Sequence, residues 1–348
     1  MPEPGFPLSR RALLAGAAAT PLLARPARAE DEQMVIATWG GDYANLLRAN
    51  VDEPLITPQH IKVVQDLGDE DPRMAKMFAQ RRLPRGADDV VCLQAVRAYE
   101  AEASGLLEKL DATKVPNMAH VLPNLRTDFY APHIYSPQIL IYNPDVIKDP
   151  PKTFTDLLDP KYKGRVGVGD VNYFYVMMAA ALATSGDVTR VNTPEAQALA
   201  LKLNANGLRL YPSTDAIGAG IKSGEIDVGI MWMARVVMWQ NAGILVKASF
   251  QTEGSVLYMS GMVVPKNAPN KPAAYKYLNA MLEAPAQRGF AERMGYLPTV
   301  DNSPLDGKIG AQLAMPQPAP KLFMPDYAIV GKMQTDTSEW WKKNMQRA

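Results

Sequence analysis

The sequence predicts an α/β protein divided into two lobes. Short apolar segments rich in β-branched residues alternate with amphipathic segments of helical period along most of the chain. This alternation is typical of folds in which helices pack on a sheet. Removal of an export signal from the 348 residues would leave about 319, more than one hydrophobic core usually organises.

The first 29 residues have the features of an export signal. Arg10 and Arg11 precede an apolar, alanine-rich stretch that runs to Leu23, and Ala27–Arg28–Ala29 is a small-residue cleavage site. The paired arginines followed by two leucines indicate a twin-arginine signal, with a Sec signal as the alternative. The apolar stretch is too short to anchor the protein in a bilayer, and no cysteine lies near the cleavage site. We expect a soluble periplasmic protein without a lipid anchor.

Three strands, each followed by a helix, are predicted in the first third of the mature chain. The acidic run Asp69–Glu70–Asp71 precedes the second helix and is expected to be a solvated loop. Cys92 lies in an apolar strand and is expected to be a small buried core residue. The strands are predicted at 34–39, 61–66 and 89–93, and the helices after residue 41, at 74–82 and at 95–103.

The alternation continues through the middle of the chain. A strand over 138–143 ends at Asn143–Pro144, a turn signal, and the helix over 174–184 is apolar on all sides, which predicts burial. The remaining elements are predicted as a glycine-rich strand at 164–170, a strand at 228–232, and helices at 155–158, 194–204, 214–222 and 234–240.

The last part of the chain predicts an extended pair and three helices. Segments 256–259 and 262–265 are expected to pair around Ser260–Gly261. Asn270 is expected to cap a helix, and another helix is predicted at 285–294. A final amphipathic helix carries Trp340–Trp341, whose rings we expect to pack inside the protein.

Composition and charge argue against several function classes. Loss of residues 1–29 removes four arginines and one glutamate, which reduces 37 basic and 36 acidic residues to about 33 and 35. This balance argues against nucleic acid as a partner, because such proteins usually have a basic face. The three histidines lack ligand-like spacing, and the sequence has no nucleophile elbow or phosphate loop. We therefore expect no metal, no cofactor and no enzymatic activity.

Arg235 is the most informative residue of the chain. It follows the apolar strand that ends at Trp232 and falls in the first turn of the next helix, where backbone dipoles favour negative charge. A cation there is unfavourable for the helix, whereas a bound anion would contact both the guanidinium and the free N–H groups. The alternative is an arginine that leans outward and pairs with a surface carboxylate.

Several short motifs occur in an order that resembles one family. They are Thr38–Tyr43, Asp89–Val91, Tyr142–Asp145, Gly224–Asp227, Gly261–Pro265 and Gly295–Pro298. Together with the export signal, their order and spacing resemble the periplasmic solute-binding proteins of ABC importers, in the spermidine/putrescine-binding branch. The resemblance covers essentially the whole mature chain.

The resemblance implies the type II periplasmic binding protein fold. Two lobes, each a mixed sheet flanked by helices, would be joined by two or three crossing strands, near Ser136–Leu140 and Tyr258–Met262, and would close on a small molecule. The closed form would be recognised by an ABC permease in the inner membrane, and we expect a monomer. The implied boundaries are 30–136 and 260–310 for lobe 1, 137–259 for lobe 2, and 311–348 for a helical tail.

Two positions depart from the polyamine-binding pattern. Polyamine-binding relatives place an acid shortly after the tryptophan of the late strand, where this chain has Arg235. They place a second acid in the hinge strand, where Ser260 follows Tyr258–Met259. A diamine would meet the guanidinium with little water to screen it, which would cost several kcal/mol. The sequence therefore favours a carboxylate, phosphonate or sulfonate ligand, or a zwitterion such as a γ-amino acid.

The candidate ligand-binding residues lie at strand ends and on the crossing strands. Trp39 is expected to stack on the ligand, and Trp232 to form an aromatic wall beside Arg235. Asp170 either faces the cleft and binds an amine, or caps the helix that begins near Phe174. The full set is Trp39, Tyr43, Gln94, Ser136, Asp170, Tyr173, Trp232, Arg235, Tyr258 and Ser260.

Alternative functions remain open. A polyamine receptor is the main alternative. A ferric-ion receptor is less favoured, because Tyr173 and Tyr175 are not adjacent and no histidine lies nearby in the sequence. The sequence does not separate a transport receptor from a ligand carrier for a chemoreceptor.

Overall fold

The computed structural model describes Met1 and residues 32–346, and it contains the predicted alternation of strands and helices. The predicted export signal lies outside the described residues, apart from Met1. The strands are β1 (Glu32–Thr38), β2 (Ile61–Leu67), β3 (Val90–Gln94), β4 (Ala131–Tyr142), β5 (Val166–Gly169), β6 (Arg209–Tyr211), β7 (Val228–Trp232), β8 (Lys247–Ser249), β9 (Ser255–Val263), β10 (Leu297–Pro298) and β11 (Leu322–Phe323). The helices are α1 (Gly41–Leu47), α2 (Glu70–Gln80), α3 (Ala95–Ala103), α4 (Tyr173–Ser185), α5 (Pro194–Ala205), α6 (Thr214–Ser223), α7 (Met233–Asn241), α8 (Lys271–Met281), α9 (Ala284–Met294), α10 (Gly307–Gln312) and α11 (Tyr327–Asn344).

The main strands follow one path across the molecule, in the spatial order β2, β1, β3, β9, β4, β7, β5, β6. β1 pairs in parallel with β2 and β3 at one end, and β5 pairs in parallel with β6 and β7 at the other. We call the half that contains β1–β3 lobe 1 and the half that contains β5–β7 lobe 2. Parallel strands joined through helices are typical of α/β proteins, and the predicted fold class is confirmed.

β4 and β9 run through the centre and join the two lobes. The first half of β4 pairs antiparallel with β9, and its second half pairs antiparallel with β7. The change of partner falls between Pro137 and Gln138. Residues from Glu32 onward form a single compact unit. Within residues 32–346, every helix is too short or too polar to traverse a bilayer.

β9 is continuous where the sequence analysis expected two paired segments. The predicted break at Ser260–Gly261 is wrong, because both residues stay in the ladder opposite Gln94 and Leu93. Gly261 is needed for close approach rather than for a turn. A Cβ atom at this position would lie 2.2 Å from the carbonyl oxygen of Ala131 on β4.

Local predictions about buried positions and helix starts are confirmed. Cys92 is fully buried in β3, and burial raises the pKa of its thiol to about 11. Asn270 caps α8, since its Oδ1 accepts the Ala273 N–H at 3.2 Å. Trp341 is 1% exposed, as expected for a packing residue.

Gly261→Ala should destabilise the junction of β4 and β9. The added methyl group would overlap the β4 backbone, so we expect the free energy of unfolding to fall by about 1–3 kcal/mol. Urea denaturation followed by circular dichroism measures this. The matched control is Gly68→Ala, whose Cβ would meet no described heavy atom within 4 Å. Equal stability of the two variants would contradict the close contact between the crossing strands.

Candidate functional site

Two cavities lie between lobe 1 and lobe 2. The smaller one, of about 370 Å³, is formed by the carboxyl end of β1, by α7 and by β9; such strand ends are common ligand sites in α/β folds. Four residues from the predicted set, Trp39, Tyr43, Arg235 and Tyr258, meet there. The lining residues are Trp39, Gly40, Asp42, Tyr43, Ile134, Asp215, Arg235, Met238, Tyr258, Met294 and Tyr296.

Arg235 lies in the wall of the smaller cavity with few hydrogen-bond acceptors. Its side chain is 20% exposed, and Nη1 lies 3.5 Å from the Met238 sulfur and 3.8 Å from Asp215 Oδ1. Its buried Nε has no hydrogen-bond partner among residues 32–346. The Asp215 side chain is 88% exposed, so water screens this long contact and weakens it. The alternative that Arg235 leans outward and pairs with a surface carboxylate is supported only by this long contact with Asp215. Nε of Arg235 remains without an acceptor.

A buried hydrogen bond attaches the first turn of α7 to β4. The Ala234 N–H donates to Ser136 Oγ at 3.1 Å, which satisfies one of the free donors at the helix start. Arg235 is the next residue, so this bond sets the position from which its side chain extends. Ser136, predicted as a ligand contact, is fully buried and its oxygen already has this partner.

Four aromatic rings separate the two cavities. Trp232 lies 4.6 Å from Tyr175 and 5.1 Å from Tyr258, and Tyr258 lies 6.0 Å from Tyr296, measured between ring centroids. Tyr258 and Tyr296 line the smaller cavity, whereas Tyr175 lines the larger one. Trp232 is 5% exposed, and its ring packs against those of Tyr175 and Tyr258. We call these four residues the aromatic partition.

The larger cavity, of about 640 Å³, is walled on one side by α11. Three predicted residues, Gln94, Asp170 and Tyr173, line it. The structure therefore divides most of the predicted set between two neighbouring spaces rather than one.

Asp170 is bonded to the C-terminal part of the chain. Its Oδ1 accepts from Trp341 Nε1 at 2.7 Å, and its Oδ2 accepts from Gln346 Nε2 at 2.6 Å. The alternative in which Asp170 caps the following helix is wrong, because α4 begins at Tyr173 and Asn172 occupies the cap position. Both carboxylate oxygens are in use, which weakens Asp170 as a partner for a ligand amine.

Three other predicted residues make internal hydrogen bonds. The Tyr43 hydroxyl lies 2.7 Å from Nδ1 of His133, and burial lowers the pKa of that histidine to about 3. Ser260 Oγ donates to the Leu93 carbonyl at 3.3 Å. The Tyr173 hydroxyl donates to the carbonyl of residue 334 at 3.4 Å. Their roles toward a ligand stay predictions.

Glu70 and Arg73 are candidates that the sequence analysis missed. The solvated loop expected at 69–71 is wrong, because α2 begins at Glu70 and Glu70 Oε1 accepts the Gln94 N–H. Burial raises the pKa of Glu70 to about 7. Arg73 is 4% exposed, and its guanidinium carbon lies 4.6 Å from the centre of the Trp39 ring. An acidic run that precedes a proline is a signal for a first helical turn, so this start could have been recognised.

The chain matches one protein family over most of its length. Residues 60–317 match the family model described as bacterial extracellular solute-binding protein. The spermidine/putrescine-binding periplasmic protein of Escherichia coli is 25% identical over 265 residues, which are 72% of this chain and 73% of that protein. The iron uptake protein A1 of Synechocystis sp. is 22% identical over 245 residues, 65% of each chain.

Solved structures share the fold of this chain. A GABA receptor superposes with a TM-score of 0.80 at 23% identity, covering 91% of this chain and 99% of that one. The PBP MotA from A. tumefaciens, in complex with glucopine, superposes with a TM-score of 0.72 at 24% identity, covering 90% and 99%. At this level of identity the likeness concerns the fold.

Glu70→Gln should change how stability depends on pH. The pKa of Glu70 is raised from 4.5 to about 7 in the folded protein, so the neutral carboxyl stabilises the fold below pH 4.5, and that contribution is lost as the pH rises through about 7. The wild type should lose on the order of 2 kcal/mol of unfolding free energy between pH 5 and pH 8, and Glu70→Gln should retain most of it. Chemical denaturation at both pH values measures the difference.

The control for this experiment is Glu102→Gln on α3. Glu102 is exposed, so its variant should show the same pH dependence as the wild type. A Glu70→Gln variant that follows the wild-type curve would contradict the burial of this carboxyl group.

Proposed function

This chain belongs to the bacterial extracellular solute-binding proteins, and we propose that the solute it binds for its ABC transporter is a small organic anion or a zwitterion. Its fold is that of the type II periplasmic binding proteins, and its role is to bind a solute, not to transform it. The proposed ligands are a carboxylate, a phosphonate, or an amino acid such as a γ-amino acid. Its partner at the membrane is an ABC permease.

One observation carries the ligand proposal: the Arg235 guanidinium lines a cavity between the lobes and has unused donors. A planar guanidinium matches a carboxylate or phosphonate through two parallel N–H···O bonds. Its position in the first turn of α7 adds the helix dipole. An anion bound there would satisfy groups that now lack acceptors.

A polyamine in the smaller cavity would place an ammonium group near Arg235. Arg235 shares this space with Trp39 and Tyr258 and with the exposed carboxylates of Asp42 and Asp215. Like charges in such a space repel by several kcal/mol. Asp215 is the carboxylate that approaches Arg235, and its exposure leaves it a weak counter-charge.

A zwitterionic ligand is supported by the acidic residues of the smaller cavity. Asp42 and Asp215 also line the smaller cavity, so a ligand with its carboxylate on Arg235 would have carboxylates available for an ammonium group. The GABA receptor that shares this fold is named for a γ-amino acid, which agrees with a ligand of both charges.

A polyamine is the second candidate, and the acids of the larger cavity favour it. Glu70, Asp71, Glu100, Asp170 and Glu339 line that space, and the Escherichia coli relative is a spermidine/putrescine-binding protein. Part of this negative charge is already paired, however. Arg97 bridges Asp71 at 2.5 Å and Glu100 at 2.8 Å, and Asp170 is bonded to the C-terminal part of the chain. This pairing is why the anion proposal ranks first.

A thermal-shift screen of the exported protein separates the two candidates. A ligand that binds only the native state raises the melting temperature by mass action. We expect a concentration-dependent rise with at least one of γ-aminobutyrate, glutamate, succinate or a small alkylphosphonate, and no rise with spermidine or putrescine. A rise with spermidine alone would overturn the anion proposal and establish the second candidate.

Arg235→Ala should weaken binding of the compound found in that screen. Loss of the guanidinium leaves a desolvated anion without its partner, at a cost of roughly 2–4 kcal/mol in affinity, measured by isothermal titration calorimetry. The matched control is Arg209→Ala, also in lobe 2, whose guanidinium bonds Glu225 at 2.8 Å at the surface. Equal affinities of the two variants would remove Arg235 from the site.

A further inference from the structure

The first turn of α2 places a second guanidinium beside the cleft. Arg73 is 4% exposed, and its Nη1 donates to the carbonyl of Gly68. Its Nε and Nη2 are buried and have no hydrogen-bond partner among the described residues. The Trp39 ring, against which the guanidinium stacks, lines the same cavity as Arg235.

Stability does not explain this arrangement. Buried N–H groups without acceptors destabilise the fold, and a cation in the first turn of a helix opposes the helix dipole. Stacking on Trp39 attracts the positive charge but accepts none of the in-plane N–H bonds. An oxyanion that reached Nε and Nη2 would supply the missing acceptors and offset the positive charge at the helix start. These two donors form one edge of the guanidinium group and can bind one oxyanion together.

Glu70 lies one helical turn before Arg73, on the same face of α2. It lines the larger cavity together with Tyr175 of the aromatic partition. Glu70 therefore borders the partition from lobe 1, and Arg73 contacts the Trp39 ring, which lines the smaller cavity together with Arg235 of lobe 2. The Glu70 side chain is half-buried, and burial raises the pKa of its carboxyl to about 7.

We propose that Arg73 is the lobe 1 anion anchor, paired across the cleft with Arg235 of lobe 2, and that the solute carries two acidic groups. This inference rests on the proposed function and narrows its ligand class to a dicarboxylate or an amino dicarboxylate. Glu70 would accept the N–H donors of an amino group next to the acid bound by Arg73. A solute held by one guanidinium in each lobe would stabilise the closed form, because only closure brings both donors to it.

The test uses glutamate and γ-aminobutyrate, which differ by one carboxylate. We expect the exported wild-type protein to bind glutamate about tenfold or more tightly than γ-aminobutyrate in isothermal titration calorimetry. Arg73→Met, which keeps the length of the side chain, should lower glutamate affinity to the level of γ-aminobutyrate and leave γ-aminobutyrate affinity unchanged. Arg235→Ala should weaken both.

The matched control is Arg97→Met. Arg97 lies at the same edge of lobe 1, but its guanidinium is already paired with Asp71 and Glu100. The Arg97→Met variant should therefore still bind glutamate more tightly than γ-aminobutyrate.

A second measurement, of thermal stability, needs no ligand. Because Nε and Nη2 lack acceptors among the described residues and only Nη1 has one, the Gly68 carbonyl, Arg73→Met should leave the melting temperature unchanged or raise it, whereas a structural role would lower it.

The outcomes separate the two proposals. If γ-aminobutyrate binds through Arg235 while glutamate binds no more tightly and Arg73→Met changes neither, the second anchor is refuted and the anion receptor stands. A lower melting temperature of Arg73→Met, or no binding of glutamate, also refutes the second anchor. If spermidine binds and no carboxylate does, both proposals fall.

Discussion

The hydrogen bond from Ala234 N–H to Ser136 Oγ, at 3.1 Å, holds the candidate site together. It joins the first turn of α7 to the strand that passes between the lobes, in a place from which water is excluded. A single buried bond of this kind contributes on the order of 1 kcal/mol. Its larger effect is geometric, because it fixes the helix start from which Arg235 extends. The cavity, its charge and its aromatic wall all depend on where that helix begins.

Incomplete hydrogen bonding is the common feature of the residues argued to bind ligand. Within residues 32–346, Nε of Arg235 and Nε and Nη2 of Arg73 are buried without a hydrogen-bond partner, whereas Arg97 and Arg165 form ion pairs with neighbouring carboxylates. Natural proteins keep such unsatisfied groups mainly where function requires them. This contrast supports the proposal that Arg73 and Arg235 contact the ligand.

The sequence predicted the fold and part of the site, for identifiable reasons. Trp39, Arg235 and Tyr258 follow from local signals, since each lies at or just beyond a readable strand. Ser136 and Ser260 lie on readable strands too, but their partners depend on ladder register, which local patterns do not determine. The Asp170 partner Trp341 lies 171 residues further along the chain. Such contacts are determined by tertiary packing, and the spacing of residues within a strand or helix does not predict them.

The position of α11 determines which hydrogen-bond partners Asp170 has. This helix packs against α3 of lobe 1 and α4 of lobe 2, and the indole of Trp341 donates to Asp170. An acid at this position in lobe 2 would otherwise be free to hold an ammonium group. Because neutral donors from the C-terminal part of the chain hydrogen-bond both of its oxygens, this carboxylate has fewer free acceptor sites for an ammonium group. Nε of Arg73 and Nε of Arg235 have no hydrogen-bond partner among residues 32–346, and this is the observation behind the proposal of a negatively charged solute.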